Sequence, residues 1–79
     1  MDKSLLKELI AVDAVRVVQL TGVPGGFVVN VSTDTGTRTL CAQRGHARVF
    51  KQLNSAAEFL QSLGVSRFNV DASAWEKET

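Results

Sequence analysis

The stretch "AVRVVQLTGVPGGFVVNVS", residues 14–32, decides the fold. Residues 14–20 are rich in valine and read as a strand, with Val15 and Val17 on one side and Arg16 and Val18 on the other. "TGVPGG" then breaks the run, because Pro24 followed by two glycines is a strong turn signal. Residues 27–32 form the second strand. Phe27, Val29 and Val31 share one face there, and Val28, Asn30 and Ser32 share the other.

Reading outward toward the C-terminus, "TDTGT" supplies the next turn and "TRTLCAQ", residues 37–43, the third strand. "RGH" is a third turn, and "ARVF", residues 47–50, a short fourth strand. Strands that follow one another through short loops favour an antiparallel meander, since parallel pairing needs long crossovers. Residues 54–63 carry Ala56, Phe59, Leu60 and Leu63 at i, i+3, i+4 and i+7, which is one apolar stripe of a helix. Ser55 and Glu58 match a capping box, with Asn54 as a competing cap. Gly64 stops this helix, and Val65 is positioned to turn back on Leu60. Residues 66–70 form a last strand with Phe68 and Val70 inward. The tail is polar apart from Trp75, and residues 76–79 are expected to fray.

Reading outward toward the N-terminus, residues 2–11 favour a helix. Leu5, Leu6, Leu9 and Ile10 fall on one side, and Asp2 or Ser4 serves as cap. The order is helix, four strands, helix, strand. This predicts a single α+β domain, a mostly antiparallel sheet with one main helix packed on one face. That helix should cover Phe27, Val29, Val31, Leu40 and Phe50.

Seventy-nine residues make one small domain with a modest core, and 44% apolar residues are enough to fold it. The single cysteine, Cys41, excludes an internal disulfide and a cysteine-based zinc site within one chain. The net charge of +1 provides no global field toward DNA or a membrane. No segment approaches the ~20 apolar residues that span a bilayer. "MDKSLLKELI" lacks the apolar run of a signal peptide, so a cytoplasmic location is expected.

No catalytic constellation emerges, so a non-enzymatic role without metal or small-molecule cofactor is expected. His46 sits beside Gly45 in a turn, Cys41 lies in a strand, and no third group is evident to orient a base. Cys41 is expected to be a small structural residue of the core, since free cysteines are so often buried, although strand parity sets it opposite Leu40 and turns one of the two toward solvent or a partner. The eight carboxylates are scattered without acid/base spacing. "GVPGG" feeds a strand rather than a helix N-terminus, which makes it a turn and not a phosphate loop.

The cations are the one unexplained feature. Arg38, Arg44, Arg48 and Lys51 surround His46, and no Asp or Glu occurs from Thr35 to Ala57. A hairpin over 38–51 would gather these five side chains near its tip and end, for a protein partner or for phosphates. An ordinary solvated surface is the competing reading, since charge on sheet surfaces and edges blocks aggregation. No exposed aromatic stands ready to stack bases.

"QRGHARVFKQLNSAAEFLQSLGVSRFNVDAS", residues 43–73, resembles the ParC-type partition-associated small proteins of proteobacterial plasmids and integrative elements, which are unrelated to the topoisomerase subunit of that name. The shared pattern is an Arg-Gly turn, Arg-x-Phe-Lys-x-Leu, an Ala-rich helix, Leu-Gly and Phe-x-Val-Asp. The resemblance implies an accessory role in plasmid maintenance or its control, and no enzyme. Binding to a protein partner, or self-association, is the first expectation. A DNA-binding regulator using the basic 38–51 segment is the second, and an inhibitor of a host defence system the third.

Overall fold

The computed structural model describes residues 1–75. Its elements run α1 (Lys3–Ala11), β1 (Val17–Val23), β2 (Gly26–Thr33), β3 (Gly36–Thr39), α2 (Leu53–Ser62) and β4 (Asn69–Asp71). The expected α+β class holds, with two helices and one four-stranded sheet in the order β3-β2-β1-β4. The sheet is mixed: β1–β2 and β2–β3 are antiparallel, but β4 pairs parallel to β1. An all-meander reading leaves this out because it considers only the short loops between strands. The second helix is itself the crossover that a parallel pair needs, carrying the chain from one sheet edge to the other.

The first hairpin is offset from its expected bounds. β1 continues through Thr21–Val23, and Val23 pairs with Gly26 around Pro24–Gly25. The polar pair Thr21–Gly22 does not end the strand, because the two-residue alternation survives it. Val18 and Leu20 point into the core, and Gly22 stands opposite Phe27 on the same face. Phe27, Val29 and Val31 are all buried, as the alternation predicts.

The expected fourth strand over 47–50 does not form, and the third ends at Thr39. The reason lies in how β2 uses its free edge. Leu40 donates its N–H to the Val29 carbonyl (2.8 Å), and Phe50 and Phe27 exchange both backbone hydrogen bonds (2.8 Å each). Between these anchors, residues 41–49 leave the sheet as a loop. It is closed by Arg48 N–H to the Leu40 carbonyl (3.0 Å) and Ala42 N–H to the His46 carbonyl (2.8 Å). Only isolated bridges remain of the predicted pairing, Phe27 with Phe50 and Cys41 with Ala47.

Helix α2 buries Ala56 and Leu60 on the sheet, with Phe59 and Leu63 half-buried at the rim. It begins one residue earlier than expected, with Gln52 at the cap and no side-chain cap bond, so the Ser55–Glu58 box is not used. The pinning of Phe50 to Phe27 sets where the chain turns into the helix, and this overrides local capping preference. Its end is as predicted: Val65 N–H reaches the Leu60 carbonyl and Gly64 N–H the Gln61 carbonyl, both at 3.0 Å, which is a Schellman ending. Helix α1 is capped by Asp2, whose Oδ1 accepts the Leu5 N–H at 2.8 Å, and contributes Leu6 to the core.

Leu40 and Phe50 complete the core, and Cys41, expected there, is instead partly exposed, because the chain leaves the sheet after the buried Leu40 and Cys41 falls in the wall of the loop. Phe68 packs at the core's edge, and Val70, paired with Leu20 on the core face, is still 45% exposed because β4 is a three-residue edge strand. Trp75 stands over Gly22, with its ring centroid 5.4 Å from that of Phe27. The predicted frayed segment, residues 76–79, lies outside the described residues.

The opposite face of the sheet sets a side-chain hydrogen-bond network among Val17, Val23 and Val28. Asn30 Nδ2 donates to Thr21 Oγ1 (2.7 Å), Gln19 Nε2 donates to the same oxygen (3.1 Å), and Thr39 Oγ1 donates to Asn30 Oδ1 (2.7 Å). These bonds pair the amide and hydroxyl groups of this face within the chain. No helix of the described residues is long and apolar enough to cross a membrane.

Candidate binding groove

The loop 41–48 and the first turn of α1 form the two walls of one groove, of about 480 Å³. The walls meet because the Cys41 N–H donates to the Met1 carbonyl at 2.6 Å, which ties the start of the chain to the end of β3. Arg44, His46 and Arg48 line the groove from the loop, and Asp2 and Lys3 line it from the helix.

Arg48 is the most constrained of these cations. Its guanidinium carbon stands 4.7 Å from the ring centroids of both Phe50 and Phe59. The two rings are themselves 5.2 Å apart and tilted by 44°, so the guanidinium caps their junction. An attraction of this kind, cation to ring face, organises a charge without neutralising it. Lys3 Nζ stands 5.8 Å from the Phe59 centroid, so two of the groove's cations are oriented by one aromatic ring.

Among the described residues, the one salt bridge joins Arg16 to Asp34, away from the groove. Lys3, Arg44 and Arg48 therefore have no described carboxylate partner. The groove's one acid, Asp2, already uses Oδ1 to cap α1. Three unneutralised cations and an imidazole beside one committed carboxylate can accept an anionic group, and the Arg forks suit a planar carboxylate or a phosphate.

Of the five side chains expected to act together, the structure brings three into this groove: Arg44, His46 and Arg48. Arg38 stays on β3 opposite Val31, and Lys51 follows Phe50 into the start of α2; neither lines the groove. The ribbon expected to gather all five is absent, because residues 41–49 form a loop rather than two paired strands. Lys3 is the member that local reading misses. It is distant in sequence, and nothing in "MDKSLLKELI" signals that the Met1 carbonyl will accept from the Cys41 N–H.

These features define a small α+β protein with a basic surface groove between a loop and a helix N-terminus. The ParC-like family model matches residues 1–79, and the chain belongs to the ParC-like family. No curated protein and no solved structure matches it.

Proposed function

We propose that this chain is a non-enzymatic accessory protein of a bacterial plasmid or mobile element. It acts in partition or maintenance by binding a protein partner through the groove between loop 41–48 and α1. The observation that carries this reading is the convergence of Lys3, Arg44 and Arg48 on one concave surface without a described carboxylate partner. Membership of the ParC-like family supports an accessory role.

A DNA-binding regulator is the weaker reading. Tracking a duplex requires cations spread along its phosphates. Here Arg38 and Lys51 do not join the groove, and the net charge is only +1.

The test is genetic. Deleting the gene from its element should raise the rate of plasmid loss per generation without selection. Supplying the native chain should restore retention, and supplying a Lys3→Glu/Arg44→Glu variant should not. Retention that is indifferent to the deletion would defeat the reading.

A further inference from the structure

We infer that the groove's partner is an acidic protein segment, with side-chain carboxylates seated against Arg48, Arg44 and Lys3; this inference rests on the function proposed above. Three observations lead to a carboxylate-bearing peptide.

Arg48 is held over Phe50 and Phe59 at 4.7 Å from each centroid, and its side chain makes no hydrogen bond to any described residue. A guanidinium resting on aromatic faces keeps its in-plane N–H donors for a planar, two-oxygen acceptor. Holding it in place in advance also lowers the entropy cost of binding.

The charges are concentrated. Lys3, Arg44 and Arg48 line one groove, which fits a short run of neighbouring carboxylates better than phosphates strung along a helix.

The neighbouring grooves lack this character. In the one bounded by Ile10, Val18 and Val65, Arg16 is already bound by Asp34, and Asp13 stands in the same lining as Arg67. The groove lined by Arg16, Val18 and Phe68 holds one further cation, Arg67, beside the Asp34-bound Arg16, whereas the groove beside loop 41–48 gathers Lys3, Arg44 and Arg48 with one committed acid.

The experiment measures fluorescence anisotropy of a labelled glutamate-rich peptide on titration with the full chain, at low and at high salt. A labelled DNA duplex of the same net charge runs in parallel. The expected result is salt-sensitive peptide binding that exceeds duplex binding and weakens roughly tenfold or more in Lys3→Glu/Arg44→Glu. That variant should keep the native circular dichroism spectrum. Arg44 lies on an exposed loop, and a Glu in the first turn of α1 is favourable to the helix dipole. No peptide binding at low salt, equal binding by the variant, or tighter binding to the duplex would each overturn the inference. The plasmid-loss assay judges the broader reading separately: a variant that fails to restore retention, with a native chain that ignores the peptide, would keep that reading and discard the acidic segment.

Discussion

The backbone of Gly26 runs so close to the Phe50 carbonyl that a Cβ built on Gly26 would collide with that oxygen. The close approach lets Phe27 and Phe50 exchange both backbone hydrogen bonds, and it is where the loop carrying the cationic groove returns to the sheet. A backbone carbonyl cannot swing aside as a side chain can. Gly26→Ala should therefore cost about 3 kcal/mol, the upper end of what overpacking with a backbone shift costs. Urea denaturation should show the loss as a lower midpoint.

A second glycine makes a contrasting case. A Cβ on Gly22 would lie 2.6 Å from the Cβ of Trp75, which belongs to the C-terminal segment rather than to the sheet. That segment can give way. Gly22→Ala should cost less than Gly26→Ala, about 1 kcal/mol, by lifting Trp75 from Phe27. Tryptophan emission should shift to longer wavelength in the folded state, with far-ultraviolet circular dichroism unchanged.

The elements legible in the sequence are those whose signal is local and dense. The apolar stripe of α2, its Gly64 ending, and the alternation of Phe27, Val29 and Val31 need no distant partner to be read. The misread elements depend on contacts far apart in sequence. "ARVF" has strand composition, yet only Phe50 finds a partner, because the free edge of β2 has room for Leu40 and Phe50 but not for a ladder between them. β4 is three residues long, and its parallel seat beside β1 follows from where α2 delivers the chain. The groove divides the same way. Arg44, His46 and Arg48 are neighbours on one loop, whereas Lys3 reaches it through the Met1–Cys41 hydrogen bond.

The Arg16–Asp34 pair makes a pH-dependent prediction. Arg16 Nε and Nη2 donate to the two Asp34 oxygens at 2.9 and 3.2 Å, joining the start of β1 to the β2–β3 turn. These hydrogen bonds first, and the Arg16 charge second, hold the Asp34 carboxyl below its ordinary value of 3.8. A carboxyl depressed in the folded state contributes stability above its unfolded pKa, and that contribution is lost as pH falls through the folded value. Both side chains are exposed, so the effect is small. In Arg16→Ala, the Asp34 titration followed by NMR should move up toward the ordinary carboxylate value. The stability gap between that variant and the native chain should close as the pH drops below about 3.8.

Asp71 offers a comparison in which no cation takes part. The Ser73 hydroxyl donates to Asp71 Oδ1 at 2.7 Å and the Ser73 N–H donates to the same oxygen at 3.0 Å. The side-chain bond is the larger cause of the lowered Asp71 pKa, and the backbone bond the smaller. Ser73→Ala should therefore raise the Asp71 titration only part of the way, since the backbone donor survives. A full return to the ordinary value would mean that the turn itself had opened.

Arg48 is the residue where folding and binding meet, and a double-mutant cycle can separate the two. The guanidinium touches both Phe50 and Phe59, but Phe50 is 7% exposed in the core, and its removal would report on packing instead. Phe59, half-buried at the rim, is the better partner. Exposed cation–ring contacts are worth about 0.5–1 kcal/mol, so Arg48→Ala and Phe59→Leu, made singly and together, should show a coupling of that order in urea denaturation. Arg48→Lys keeps the charge but replaces the planar fork with a point charge. It should therefore retain part of the stability while losing affinity for the glutamate-rich peptide. A lysine variant that bound the peptide as tightly as the native chain would show that charge alone, and not the guanidinium set on its two rings, selects the anion.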